Sequence, residues 1–286
     1  SSLKKSLSKY IDLQSPADKT NNDKQQVTLN VTVKNDPVLF QLVPKLTGLE
    51  PINLTANYNN VTDSLQIKGS IPRIVYAGNT ISGASINVDS KENALDYNLS
   101  VATVENGDFK LPKTVLSGKV ENNIVDYALQ INDTADKEKY YLAGQLEHKT
   151  DQNIFKIDAE KVVLNYEAWK VNPQNSIEFG NNGLYINQFE LSNAGNQLKI
   201  QSQQDQKNAP IDIEFVDFKI ETILSIVKKD DLLMNGLING KATIENLQTK
   251  PTFTSDIKID DFVFNSEEVG DISIKVDNQT ANLLNA

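Results

Sequence analysis

The sequence predicts an all-β protein of antiparallel strands, and three observations carry the prediction. Apolar residues alternate with Asn, Thr, Ser, Gln, Lys and Asp from Val27 to Val276, the period of a strand with one apolar and one polar face. Strands buried on both faces would read as continuous apolar runs, so these belong to antiparallel sheets wetted on one side. Short Asn- and Gly-rich phrases separate the runs, as hairpin turns do.

Taken in chain order, Leu3, Leu7, Tyr10 and Ile11 share one helical face, and the polar stretch from Ser15 to Gln25 reads as a linker. Residues 1–25 are therefore a helical and linker segment ahead of a β region over 26–286. Asp36 stands in an N-cap position, Pro37 suits a first helical turn, and Leu39, Leu42, Val43 and Leu46 form one apolar stripe. The expected helix covers 37–47, kinked or shortened by Pro44 and stopped by Gly48. Strands follow at Ile52/Leu54/Ala56/Tyr58, Leu95/Tyr97/Leu99/Val101, Val125/Tyr127/Leu129/Ile131, Phe155/Ile157/Ala159, Val162/Leu164/Tyr166 and Ile211/Ile213/Phe215. Turns are expected at Asn59–Asn60, Asn106–Asp108, Asn122–Asn123, Asn181–Gly183, Asn193–Asn196 and Ile238–Gly240, with polar loops at Asn132–Glu138 and Gln201–Asn208. A second helix over 218–228 has Asp217 in the capping place, Ile220, Ile223, Leu224 and Val227 as its stripe, and Lys228 and Lys229 at its C-terminal end. Ile272/Ile274/Val276 make a final strand.

The two helices echo one another, and so do the strands after them, which carry GASINVD at Gly83–Asp89 and GDISIKVD at Gly270–Asp277. One short helix followed by many strands, used twice, predicts an elongated repeat architecture with approximate repeats over 26–150 and 151–286.

Composition narrows the function. A formal charge of −10 with Arg73 as the only arginine argues against a nucleic-acid partner, which requires clustered cations. The absence of Cys excludes disulfides, zinc–thiolate sites and thiol nucleophiles. No run reaches the roughly 18 apolar residues of a membrane-spanning helix. The chain starts and stops in mid-pattern, the expectation for a piece of a longer protein.

Catalytic signals are missing where they would be expected. His148, the single histidine, has no nucleophile elbow or triad motif around it and reads as an ordinary strand or turn residue. Gly180 and Gly183 sit in a hairpin context with no phosphate-loop helix after them. The doublets Asp230–Asp231, Asp260–Asp261 and Glu267–Glu268 could supply a glycosidase pair, but sequence neighbours point apart on a strand. Trp169 is the only tryptophan, a thin aromatic supply for a glycan site. Asn132, Asp133, Asp136 and Glu138 lack the spacing of a calcium loop. The expectation is a non-enzymatic chain without metal or cofactor.

The segment from Trp169 to Ile200, followed by Asp212–Ile220, Leu237–Leu247, Pro251, Ser255–Asp261 and Gly270–Ile274, resembles the translocation and assembly module (TamB) and AsmA-like family in its order of strands and glycines, and is similar to a Bacteroidetes-type member. The resemblance runs from about Asp36 onward and is most specific between Trp169 and Asp277. It implies a long β-taco, a sheet curled around a continuous apolar groove. It also implies a periplasmic location, with the intact protein anchored in the inner membrane. Phospholipid acyl chains would be the cargo, and an outer-membrane barrel related to the assembly factors the partner, reached through regions outside this sequence. The tasks implied are phospholipid transport to the outer membrane and assistance to outer-membrane protein assembly.

Alternation alone serves a closed sandwich and an open groove equally, and the resemblance favours the groove. Its lining is then expected from Leu54, Tyr58, Ile67, Ile86, Val88, Leu95, Leu99, Leu164, Ile186, Leu191, Ile200, Ile244, Ile259, Ile272 and Ile274. The helix stripes Leu39, Leu42, Val43, Leu46 and Ile220, Ile223, Leu224, Val227 would plug or cap the apolar path. The rival reading is a non-enzymatic β-sandwich adhesin or glycan-binding surface protein, which would close its apolar residues inside.

Overall fold

Strands account for more than half of the chain, against roughly a quarter in an average domain. The computed structural model describes residues 7–12, 24–91, 93–107, 109–224, 234–280 and 283–285. Two compact units divide it, Ser1–Glu138 and Lys139–Ala286.

The first unit comprises β1 (Gln26–Val33), α1 (Pro37–Leu42), β2 (Leu46–Leu49), β3 (Ile52–Asn59), β4 (Ser64–Tyr76), β5 (Asn79–Lys91), β6 (Ala94–Val101), β7 (Thr103–Asn106), β8 (Phe109–Leu111), β9 (Thr114–Glu121) and β10 (Ile124–Asn132). It is an antiparallel meander in which β1 pairs with β3, β3 with β4, β4 with β5, β5 with β6, β6 with β9 and β9 with β10. Two-residue hairpin turns of type I′ require positive φ at both central positions, and Ala77–Gly78 (49° and 82°) and Asn122–Asn123 (52° and 64°) provide it. Residues 7–12 make a single helical turn that sits on the second of these, where Asn123 N donates to the Tyr10 carbonyl at 2.9 Å.

The remaining strands of this unit continue their neighbours beyond a break: β2 pairs with the far end of β4, β7 with the far end of β5, and β8 with β7. The breaks align. Pro51 separates β2 from β3, Pro72 lies in β4, Gly83 takes φ 59° in β5, Ala102 separates β6 from β7, and Pro112 and Lys113 separate β8 from β9. Register puts Gly83 opposite Ala102, and a Cβ on that glycine would stand 2.8 Å from the alanine's. Prolines without an N–H and a left-handed glycine thus form one crease across the sheet, and interrupted ladders are where strands bend.

The second unit comprises β11 (Glu138–Lys149), β12 (Gln152–Leu164), β13 (Glu167–Val171), β14 (Ser176–Gly180), β15 (Gly183–Asn187), β16 (Phe189–Asn193), β17 (Asn196–Ser202), β18 (Ile211–Lys219), α2 (Glu221–Leu224), β19 (Met234–Glu245), β20 (Thr252–Phe264), β21 (Glu267–Thr280) and β22 (Leu283–Asn285). It is also a meander. β12 pairs with β11 on one side and with the broken line β13/β14 on the other, and β13 and β14 pair in turn with β16 and β15. From β16 the ladder runs through β17, β18, β19, β20 and β21 to β22. A second crease crosses β18 to β21, where the register shifts and Asp217, Gly236, Asp261 and Gly270 take positive φ.

Several expectations need correction. The first helix stops at Leu42, because Pro44 cannot continue it, and Leu46 lies in β2 rather than on a helical stripe. Its start is as expected: Asp36 Oδ1 accepts the Val38 N–H at 2.8 Å, with proline in the first turn. The second helix is Glu221–Leu224 within the described residues, since residues 218 and 219 are still strand and Ile220 is a turn. Asp217 is not its cap. It occupies a strand bulge at φ 44°, exchanging hydrogen bonds with Asn239. The Ile223 side chain, Val227, Lys228 and Lys229 lie outside the described residues, as do Leu3, residues 15–23 and Asp108. Ile238–Gly240 is no turn but the interior of β19. Tyr166 belongs to the turn after β12 (φ 69°), and Ala159 falls in the bulge of that strand, exposed.

Candidate functional site

Register turns the alternation of the first unit into a grid. One row reads Val31, Leu54, Gly69, Ile86, Leu99, Leu116 and Leu129 across β1, β3, β4, β5, β6, β9 and β10. The next reads Leu29, Ala56, Ile67, Val88, Tyr97, Gly118 and Tyr127. Opposite Val27, Tyr58 begins a third row that includes Leu95, Val120 and Val125. The other face carries rows such as Asn30, Thr55, Lys68, Asn87, Asn98 and Ser117.

The apolar grid is not covered as a core is. Tyr58, Leu65 and Ile131 are buried, whereas Leu54, Ile67, Ile86, Val88, Leu95 and Leu99 are only part-buried, and Val27 and Leu29 at the edge are about half exposed. Two glycines shape it. At Gly69 a Cβ would stand 2.8 Å from Ile86 Cγ2 and 3.1 Å from Leu54 Cδ1, so those side chains close over the glycine. Gly118 leaves room for the Asp126 carbonyl, into which a Cβ would run, and for the Tyr97 hydroxyl, which donates to that carbonyl at 2.9 Å. Desolvation, then the nearby Asp126 charge, push the Tyr97 hydroxyl pKa up.

In the second unit the corresponding face closes over its middle strands. Ile157, Val162, Trp169, Val171, Leu191, Leu198 and Phe218 form a buried cluster, with Leu142, Phe155, Leu164, Phe189, Ile200, Ile213, Phe215 and Ile238 packed against it. Phe218 contacts Trp169 at 5.7 Å and Phe215 at 5.9 Å between ring centroids, within the range of aromatic pairs. Asn175, 1% exposed, completes the ladder where β12 bulges and β13 breaks from β14. Its Oδ1 accepts the Ile157 N–H at 2.8 Å, and its Nδ2 donates to the Ile157 carbonyl at 2.8 Å and to the Asn172 carbonyl at 2.7 Å. Beyond the cluster the face opens again. Ile244, Ile259 and Ile272 are part-buried, while Phe253 and Ile274 are exposed by 42% and 41%.

All fifteen residues expected to line an apolar interior fall on the apolar face of their own unit. The first seven, Leu54 to Leu99, belong to the open grid. Leu164, Leu191 and Ile200 belong to the closed cluster, and Ile186, also buried, faces Ile177 across the β14–β15 hairpin. Ile244, Ile259, Ile272 and Ile274 belong to the open end of the second unit. Of the helix stripes, Leu39 and Val43 are part-buried, Leu42 is 75% exposed, and Ile220 is buried. Asn175 has no signal in the sequence beyond an Asn beside the one Pro–Gln break in a strand pattern, and Phe218, inside the expected second helix, is instead the most buried aromatic of the cluster.

His148, Asp260, Asp261, Asp133 and Asp136, weighed for chemistry, have structural partners. His148 Nδ1 lies 2.8 Å from Asn153 Oδ1 across the β11–β12 hairpin. Asp260 receives Lys258 and Asn239, and the Asp261 N–H donates to Asp271. Asp133 and Asp136 bind their own turn, and Lys113 caps Asp136 at 2.8 Å. Asp230 and Asp231 lie outside the described residues. Among the described residues, no group of three His, Cys, Asp or Glu side chains is placed to hold a metal ion, and no helix is long and apolar enough to cross a membrane. The chain matches no protein-family model, no curated protein and no solved structure.

Proposed function

We propose that this chain is an acyl-chain-holding segment of a periplasmic lipid bridge of the TamB and AsmA-like kind, passing phospholipid toward the outer membrane or shielding apolar segments of outer-membrane proteins during assembly. The observation that carries the reading is the seven-strand apolar grid whose central residues remain part-exposed. Four apolar positions along a strand span about 20 Å, and seven strands stand about 29 Å across. Either dimension exceeds the ~15 Å that one acyl layer occupies in a bilayer. Each 100 Å² of this face covered by an acyl chain gains about 2.5 kcal/mol. The polar reverse face suits the water outside a curled groove. Anchoring of the intact protein in the inner membrane and contact with an outer-membrane barrel of the assembly-factor type belong to the same proposal, and the resemblance in strand and glycine order supports them.

Native mass spectrometry with lipid extraction tests the reading. Phospholipid is expected to accompany the purified chain, to fall in Leu99→Asp and Ile259→Asp, and to persist in the wet-face variant Asn98→Asp. A folded chain that never carries lipid would refute it. The adhesin alternative has one feature in its favour, a shallow depression on the wet face lined by Asn53, Thr55, Lys68, Ser70, Ser85 and Asn87. Retention of the chain on a glycan array, lost in Lys68→Ala, would favour that alternative.

A further inference from the structure

We infer that the outer edge of β1 is a self-pairing edge, on which a second copy of this chain adds its own β1 antiparallel about a two-fold axis through Asn30. Soluble β-proteins protect free edges with Lys, Pro, bulges or inward charges. The eight residues of β1, Gln-Val-Thr-Leu-Asn-Val-Thr-Val, contain none of these. β3 occupies one side of β1 with an unbroken eight-residue register, and among the described residues no strand is seated on the other. Residues 26–30 are all exposed, with Val27 at 52% and Leu29 at 48%.

The sequence of β1 is complementary to itself wherever odd positions face odd ones, and the flanking charges choose between the two central registers: an axis through Leu29 would set Lys24 against Lys34, which the axis through Asn30 avoids. With Asn30 on the axis, Leu29 of one copy opposes Val31 of the other, and Val27 opposes Val33, so the apolar rows of two copies run on without interruption. On the wet face Thr28 opposes Thr32 and Asn30 opposes Asn30, pairs that hydrogen-bond readily across antiparallel strands. Just beyond the ladder Lys24 of one copy meets Asp36 of the other, twice, by symmetry. A shift of one residue would set apolar side chains against polar ones. Such an isologous contact closes as a dimer and leaves no further edge of its kind. An eight-residue edge is smaller than a standard interface, so the association belongs to the weak, concentration-dependent class. This inference stands apart from lipid binding, since it uses the backbone edge and not the occupied face.

The chain has no cysteine, so single thiols report the register. Under mild oxidation Asn30→Cys is expected to give a disulfide-linked dimer, because cross-strand Cβ atoms lie about 4.5–5.5 Å apart and little movement brings them to bonding distance. Thr28→Cys, about 14 Å from its own copy in this register, is expected to remain largely uncrosslinked. Sedimentation velocity over a concentration series should show a reversible dimer, and Asn30→Lys should raise its dissociation constant by at least about fourfold, as two like charges about 5 Å apart in water require. A chain monomeric throughout the series would overturn the inference, as would equal crosslinking at positions 28 and 30 or a dimer indifferent to Asn30→Lys. Circular dichroism of each variant separates loss of pairing from loss of fold.

Discussion

Replacing Asn175 with alanine removes three hydrogen bonds from a place water does not reach. Asn175 is 1% exposed and Ile157 6%, and the Ile157 N–H and carbonyl each lose a partner at 2.8 Å. A buried backbone group left without a partner costs about 1–3 kcal/mol, so the pair costs about 2–6 kcal/mol, with the Asn172 carbonyl adding to it. That is a large fraction of a typical 5–15 kcal/mol stability, given as roughly the range for a domain. Urea unfolding followed by fluorescence of Trp169, which lies buried in the adjacent cluster, should show a lowered midpoint at unchanged slope. Asn175→Asp should be no better, because it supplies an acceptor for Ile157 N–H but loses both donations and buries a charge. A loss below about 0.5 kcal/mol for the alanine variant would mean that water or backbone movement replaces these bonds, and the bridging role of Asn175 would be wrong.

Other outcomes follow from the same geometry. Phe218→Ala, at a side chain 1% exposed, should cost about 3–5 kcal/mol by the same assay, and a cost near that of a surface change would show that the cluster collapses around the gap. Leu42→Ser should change stability by less than about 0.5 kcal/mol, since the side chain is 75% exposed; a larger loss would show that α1 docks its stripe. Asp271 accepts the Asp261 N–H and pairs with Lys258, in that order of effect, and both hold its carboxyl below the ordinary 3.8. The stabilisation it lends is present above that ordinary value and lost as pH falls through the lowered one. A carboxyl-carbon NMR titration with a midpoint at or above 3.8 would contradict this arrangement.

Much of the sheet was legible because alternation is a direct consequence of strand geometry, and each of the fifteen apolar positions keeps its side once register is known. What failed were the points where the period slips. Phe155 and Ile157 predict a continued apolar step at Ala159, but the bulge of β12 shifts the pattern so that Val162 resumes the face. Asn239–Gly240 has the composition of a hairpin turn, yet Gly240 is there because a Cβ would run into the Asp256 carbonyl of the next strand, a non-local reason invisible along the chain. Pro51, Pro72 and Gly83 are each recognisable breakers. Their alignment into one crease appears only when three strands are set in register. The helices were overextended because an apolar stripe is also what a strand entry looks like, and Leu46 belongs to β2.

The same alternation yields an open face in one unit and a closed cluster in the other, and side-chain size accounts for the difference. The open grid is aliphatic apart from Tyr58, Tyr97 and Tyr127, and Tyr97 spends its length reaching across Gly118 to a backbone carbonyl. The closed cluster has Trp169 and Phe218 at its centre, with Phe155, Phe189 and Phe215 around them. Aromatic side chains bury about 150–250 Å² each, enough for a folded sheet to meet its own far strands, whereas Val, Ile and Leu from a single layer leave a gap. If acyl chains are the cargo, the first unit and the β19–β21 end of the second are where they fit, and the aromatic cluster is a closed core within the second unit rather than part of the path. Aspartate at Leu99 should therefore reduce lipid content with modest loss of stability. Aspartate at Leu191, buried against Val171 and Leu198, should unfold the second unit without any separate effect on lipid.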